Sequence, residues 1–472
     1  MLFSSISFLY YFLPAVLFIY FILLRNKRSL QNFFLLLSSL FFYAWGEPKF
    51  VLVMCASILV NWFLGLMISK YRPRENLCKG IIFLDVALNL GLLFIFKYLT
   101  FTGNMINTLF SVDLQVPNIA LPIGISFFTF QAMSYVIDVY RQKGAVQTNL
   151  FYVGLYISFF PQLIAGPIVR YETVAEEIQN RKETLEDFFD GFARFVVGLA
   201  KKVLLSNSFG LLADQAFSVV EQGQTISVLF GWLGAVSYAM QIYFDFGGYS
   251  DMAIGLGRMF GFHFLENFNY PYISTSISEF WRRWHISLGS WFRDYLYIPL
   301  GGNRVSKGRN IFNLFVVWFL TGLWHGANYT FIVWGLMYFV LIAIEKVTHF
   351  HKTKGKLTNI LKWCYTSLFV LIGWVLFRSN SIADACIYLS SMFGLNANAF
   401  ADGLFYGWFS QNRILLFSGI ILCTPLLRKI GTKTAHIPAM EYLKVLGLVI
   451  LFVLSVATLA GNSYNPFIYF NF

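Results

Sequence analysis

The chain has 472 residues and a net charge of +12, yet it is 57% hydrophobic, 19% aromatic and only 12% charged. Soluble globular domains carry about 25% charged residues, so a soluble enzyme is excluded even though the length would allow roughly two or three soluble domains. The positive charge does not point to nucleic acid, because it gathers in short loops between apolar runs, the positive-inside pattern of membrane proteins.

In chain order, residues Ile6 to Leu24 form the first apolar run. No basic region precedes it and no small-residue cleavage site follows, so it reads as a first span rather than a cleavable signal. Basic clusters follow at Arg25, Lys27 and Arg28, at Lys70 to Lys79, and at Arg141 with Lys143, while the loops at Gly46-Glu47-Pro48 and Phe101 to Pro117 hold few basic residues. With basic loops cytoplasmic, the N-terminus lies outside and five spans alternate up to Tyr140. Phe159-Phe160-Pro161 and Ala165-Gly166-Pro167 then break an apolar run, and such backbone survives at membrane depth only inside protein or beside a water-filled cavity. Tyr171 to Asp190 is the most acidic stretch, with a helical period suited to the cytoplasmic surface. Ser274 to Arg304 mixes Trp, Tyr and Arg without a spanning run, as helices lying in the interface do. In the last third, Lys346 to Lys362 reads as inside, Ser379 to Gln411 as outside, Arg428 to Lys433 as inside, and Leu443 to Leu459 exits again. The expected fold is an all-α polytopic membrane protein of roughly eleven to thirteen transmembrane helices. It forms a single domain over 1–472, with an extracytoplasmic aromatic tail at 462–472 and both termini outward.

Five cysteines, Cys55, Cys78, Cys364, Cys386 and Cys423, show no paired spacing and read as small hydrophobes of a helix bundle. No HExxH or comparable ligand spacing occurs, so no metal is expected. The chemistry-bearing residues stand out against this apolar background. His325, in Trp324-His325-Gly326, ends the run Leu314 to Trp324 and precedes another at Ile332 to Ile344. Ionisable groups at membrane depth are costly and usually line a cavity or do chemistry. A buried neutral imidazole can take a proton from a hydroxyl, as a general base must; the alternative is a histidine merely hydrogen-bonded in the bundle. His285 closes the Trp281 to Trp284 segment, where an interfacial tryptophan-rich helix is an equal explanation. His263 reads as lining the loop after Met259, His349 and His351 as solvated, and His436 as part of a cytoplasmic turn. Asp245 and Asp251 need partners, and Arg282, Arg283 and Arg293 are available; pairing is favoured over a catalytic role. Gly301-Gly302-Asn303-Arg304 lacks a phosphate-loop signature, although Arg304, Lys307 and Arg309 could help hold a phosphate-bearing donor.

Several ordered motifs together resemble a known family. They are Pro122 to Phe130 (PIGISFFTF), Phe160 to Pro167 (FPQLIAGP), Asp245 to Asp251 (DFGGYSD), Phe280 to Ser287 (FWRRWHIS), Arg293 to Arg304 (RDYLYIPLGGNR) and Leu323 to Asn328 (LWHGAN). The chain is similar to the membrane-bound O-acyltransferases, specifically the bacterial alginate O-acetylation branch and its peptidoglycan and teichoic-acid relatives. The resemblance implies a helical bundle around a tunnel or funnel in the bacterial cytoplasmic membrane. It implies that His325 is catalytic and His285 a second required residue. It also implies an acyl thioester donor from the cytoplasm, acetyl-CoA or a loaded acyl-carrier protein, with no bound cofactor. An extracytoplasmic esterase-like (SGNH-type) acetyltransferase would be the partner that modifies the polysaccharide acceptor. One departure is that relatives often carry a further histidine around Tyr338, and this chain has none there.

The C-terminal Asn465 to Phe472 (NPFIYFNF) resembles the aromatic tail of a small partner protein in teichoic-acid D-alanylation. On that likeness Tyr469 would take the acyl group from the tunnel and pass it outward, a phenol ester being more activated than an alkyl ester. The alternative is an aromatic anchor at the outer interface. The expected function is therefore acetyl transfer across the membrane for O-acetylation of an envelope or exported polysaccharide. A polysaccharide or lipid-linked sugar transporter would instead show paired broken helices in two halves, and the breaks at Pro161 and Pro167 have no counterpart. A lipid-linked glycosyltransferase would want outward carboxylates, and Asp113 is solitary in its loop.

Overall fold

A computed structural model describes residues 1–350, 355–434, 436–462 and 464–468. Helices and connecting loops make up the described residues, with no strand among them. The chain divides into two compact units, residues 1–196 with 249–265 and residues 197–248 with 266–472.

The first unit holds α1 (Phe8–Leu23), α2 (Arg28–Ala44), α3 (Val51–Lys70), α4 (Glu75–Phe110), α5 (Ile125–Tyr140), α6 (Leu150–Ser158) and α7 (Tyr171–Asn180). It also takes the start of α8 (Leu185–Glu221) and the end of α9 (Val228–Met259). Helix α5 is buried on nearly every face, from Ile125 to Val139, as an all-round apolar helix must be. Gly65 on α3 admits the Tyr135 ring of α5; a Cβ there would lie 2.6 Å from it.

After α6 the backbone leaves the helix at Phe159, and residues 159–169 are all buried. The break therefore lies inside protein, one of the two surroundings that such backbone tolerates. Its polar backbone is satisfied locally: Phe160 N–H donates to Ser39 Oγ at 3.0 Å, and the Tyr156 hydroxyl donates to Val169 O at 3.0 Å. The connection after α7 is tied down by charge. Arg28 holds Glu183 at 2.5 Å, and Arg181 donates to the Tyr20 hydroxyl at 2.9 Å. Burial raises the Glu183 carboxyl, but hydrogen bonds from Arg28 and Tyr20 outweigh it and hold the group below its ordinary value.

Helices α8 and α9 approach through glycines, because small residues let backbones touch. In the first unit Gly191 and Gly255 meet, a Cβ on Gly255 lying 2.5 Å from Gly191 O. In the second, a Cβ on Gly248 would lie 2.7 Å from Gly198 O. These contacts correct the expected partners of two carboxylates. Asp251 pairs with Arg194 at 2.9 Å and Asp245 with Lys202 at 2.6 Å, not with Arg282, Arg283 or Arg293. Each pair joins facing turns of the α8–α9 packing, while Arg283 pairs with Glu279 and Arg293 with its neighbour Asp294.

The second unit adds α10 (Ile277–Arg283), α11 (Ile286–Phe292), α12 (Lys307–His325), α13 (Tyr329–Val347), α14 (Lys356–Arg378), α15 (Ile382–Met392), α16 (Gly403–Leu422), α17 (Leu426–Thr434) and α18 (Pro438–Gly461). Helices α12 and α13 form a hairpin whose backbones touch at Gly322 and Gly335; a Cβ on Gly322 would sit 2.5 Å from Phe331 O. Helix α18 leaves Val445, Val449 and Val453 exposed, as a helix facing lipid does.

By length and apolarity six described helices qualify as spans, namely α3, α4, α8, α13, α14 and α18, or seven if the pair α16 and α17, bent by 65°, is one span. That is fewer than the eleven to thirteen expected from apolar runs. Several runs fold as shorter helices, such as α2, α5 and α6, and α9 carries Asp245, Asp251 and Arg258. The protein is a multi-pass, all-helical membrane protein.

Candidate active site

His325 is the last residue of α12. The chain turns through Gly326 and Ala327 to Asn328, whose side chain caps α13 by accepting from Thr330 N–H at 3.1 Å. Glycine is required at 326 for space, since a Cβ there would overlap the Phe331 ring. The His325 imidazole, 5% exposed, is enclosed by rings: Trp324 at 5.2 Å, Trp334 at 5.0 Å and Phe377 at 5.1 Å between centroids. Tyr338, at the position where a further histidine was absent, is buried against Trp281, Trp318 and Trp334.

His285 forms the corner between α10 and α11. Its backbone is left-handed (φ 45°, ψ 54°), which costs free energy for a side chain other than glycine and so marks an over-determined position. The segment before α10 braces that corner: Asn269 N–H donates to Arg283 O at 2.9 Å and Ile286 N–H to Asn267 O at 3.0 Å. The His285 ring packs edge-on to Phe246 of α9 at 4.6 Å and lies 6.1 Å from Trp324. Burial, with His325 as a smaller electrostatic contribution, holds its imidazole well below the ordinary histidine value, so it is neutral. The segment Ser274 to Arg304 folds as short helices, α10 and α11 among them. Its rings at Phe280, Trp284, His285 and Trp291 are buried, and Arg282 remains exposed.

One cavity reaches His285, and a second lies beyond Phe377, whose ring packs on His325. The first, of about 340 Å³, is mostly apolar and lined by His285, Trp281, Trp318 and Thr321, with Arg282 and Arg293. Thr321 stands one helical turn before His325, on the same face of α12. The other, of about 290 Å³, is lined by Phe377, which packs on His325, by Phe331 and by the polar groups of Asp214, Gln241, Asn328 and Arg378. Pro466 and Ile468 of the C-terminal tail also line it. The tail is held by named bonds. Tyr464 OH donates to Asp214 at 2.6 Å, and Ile468 N–H donates to Asp245 at 3.0 Å. Asn207 donates to Tyr464 O at 3.2 Å and Lys202 to Pro466 O. Tyr469 itself lies outside the described residues, as does His351.

The remaining histidines serve elsewhere. His263 bonds Glu177 at 2.9 Å at the surface, and His436 is exposed. Gly301 and Gly302 adopt positive φ in a turn tied by Asn310 to Gly302 O at 2.8 Å, with Arg304, Lys307 and Arg309 exposed around it. No group of three metal-ligating side chains gathers among the described residues.

The model of the membrane-bound O-acyltransferase family matches residues 37–383. The chain belongs to that family. It is 37% identical over 499 residues to "Probable alginate O-acetylase" of Pseudomonas putida, covering all of both chains. It is 35% identical to "Peptidoglycan O-acetyltransferase" of Helicobacter pylori, over 84% of this chain and 80% of that one. It is 29% identical to "Teichoic acid D-alanyltransferase" of Bacillus subtilis, over 55% of this chain and 69% of that one. The protein is an O-acyltransferase, and a transporter is not favoured. Sequence reasoning found both histidines of the enclosed pair. It missed Asn267, Trp334, Phe377 and Lys202, which lie outside the motifs that mark the two histidines.

Proposed function

We propose that this acyltransferase moves an acetyl group from a cytoplasmic thioester, acetyl-CoA or an acyl-carrier protein, through the histidine pair for O-acetylation of an exported or cell-envelope polysaccharide. The single observation that carries this reading is that His285 lines an apolar cavity, while Phe377, a ring neighbour of His325, lines a second and more polar one. The apolar cavity, bordered by Arg282 and Arg293, suits an acyl chain with an anionic carrier group at its mouth. The polar one, rich in amide and charged groups, suits a hydroxylated acceptor.

In the step itself, His325 or His285 takes the proton of the acceptor hydroxyl. The oxygen attacks the thioester carbonyl, the carbon–sulfur bond breaks, and the thiolate leaves and is reprotonated. The indole N–H groups of Trp281 and Trp334 are buried without a hydrogen-bond partner among the described residues. They are donors for the oxygen that gains charge on attack. Burial of both imidazoles protects the thioester from water.

The tail bonds at Tyr464 and Ile468 support a further step in which the Tyr469 hydroxyl is the first acceptor and hands the acyl group to an esterase-like enzyme outside. The protein then sits in the cytoplasmic membrane with both termini outward. Proteoliposomes loaded with labelled acetyl-CoA on one face and polymer with partner enzyme on the other test this. Label should cross to the polymer, and Tyr469→Phe should abolish that arrival. Transfer confined to the donor face, or undiminished transfer by Tyr469→Phe, refutes the respective step.

A further inference from the structure

Asn267 lies on the loop between α9 and α10 and is fully buried. Its side-chain oxygen accepts three hydrogen bonds. Ser287 N–H donates at 3.2 Å, Ser287 Oγ–H at 2.9 Å, and His285 Nδ1 stands at 3.1 Å. The backbone N–H of Ser287 can only donate, so the amide atom facing it must be oxygen. That fixes the orientation of the amide, an assignment otherwise ambiguous between oxygen and nitrogen. An amide oxygen can only accept, so the ring nitrogen facing it must be protonated. In a neutral imidazole the other nitrogen then bears the lone pair.

We propose that Asn267 is the positioning residue of the acyl-transfer site: it holds the Nδ1–H tautomer of His285, so that Nε2 is the atom that accepts the acceptor's proton. The main chain reinforces this, because Asn267 O accepts from Ile286 N–H at 3.0 Å and so ties the corner on both sides of the histidine. Phe246 fixes the ring plane from α9. The charged or titratable groups around the imidazole are His325 on α12 and, at the same cavity, Arg282 and Arg293. The Ser287 hydroxyl also stands 3.4 Å from Nδ1, but its proton is directed to Asn267 Oδ1 at 2.9 Å, so it too faces Nδ1 as an acceptor. This inference rests on His285 acting in the reaction.

The test uses the full-length protein in detergent with labelled acetyl-CoA, over a range of pH. Asn267→Leu keeps the volume and removes the acceptor; its kcat should fall about 10²–10⁴-fold with KM for acetyl-CoA little changed. Asn267→Asp keeps an acceptor and adds charge that favours the imidazolium. It should retain transfer, with the acid limb of its pH profile moved up by about 1–3 pH units. A purely structural asparagine would give loss in both variants with no such displacement. If His285→Ala transfers at the parental rate, the reading of His285 fails and the inference falls with it. If His285→Ala is inactive but Asn267→Asp keeps the parental profile, or Asn267→Leu keeps kcat within about threefold, the inference alone is overturned. The tautomer is also read directly in the unsubstituted protein by ¹⁵N NMR of labelled histidine, with His285→Gln for assignment. A protonated Nδ1 supports the proposal, and a protonated Nε2 overturns it even if neither Asn267 variant folds.

Discussion

Replacing Asp245 with Leu should be among the most damaging single changes outside the histidine pair. The Asp245 and Lys202 side chains are 1% and 2% exposed and stand 2.6 Å apart. Removing one member of such a pair leaves a buried charge without its counter-ion, at about 3–5 kcal/mol. The Lys202 ammonium would keep Asn207 Oδ1 at 2.9 Å and Pro466 O, which places the loss towards the lower end. Asp245 also accepts from Ile468 N–H, so a buried donor is orphaned, worth about 1–3 kcal/mol. The two costs overlap because they share one carboxylate, and about 4 kcal/mol is the expected total. Adding Lys202→Met removes the stranded charge and should recover most of the ion-pair cost, but not the loss at Ile468. Denaturant unfolding in mixed micelles, followed by tryptophan fluorescence, measures all three proteins. An Asp245→Leu protein within about 0.5 kcal/mol of the parent, or a double variant no more stable than the single one, would refute the reasoning.

Two further outcomes follow from the packing and charge of the first unit. Gly255→Val should destabilise by about 1–3 kcal/mol or more, because its Cβ would sit 2.5 Å from Gly191 O and backbone has to move; thermal unfolding in detergent checks this against Gly80→Val, where the Cβ meets nothing. Glu183 has a lowered carboxyl value. Its contribution is therefore full above the ordinary carboxylate range and is lost as pH falls through the depressed value. Melting temperatures of parent and Glu183→Gln should accordingly converge on acidification from about pH 7; a gap that is constant with pH contradicts this linkage.

The helical, multi-pass character was legible in the chain because apolar runs are local signals. The break at Pro161 and Pro167 was readable for the same reason, proline removing a helix donor. The span count was not, since an apolar run does not say whether it faces lipid or protein; α5 is apolar because it is enclosed by its own unit. His325 and His285 were conspicuous against an apolar background. Asn267 carries no such contrast: it stands 18 residues before His285 in an irregular loop, and only the folded corner brings the two together. Asp245 was expected to pair, but its partner depended on the register of α8 against α9, set by glycines at 198 and 248 rather than by charge.

The central claim is that the enclosed histidine pair performs acyl transfer from a thioester. Single-turnover transfer of labelled acetyl from acetyl-CoA or an acyl-carrier protein, measured for the purified parent, His325→Ala and His285→Ala, addresses it most directly. Each variant should remain folded and lose at least about 10²-fold in rate. A folded His325→Ala protein transferring at the parental rate would contradict it.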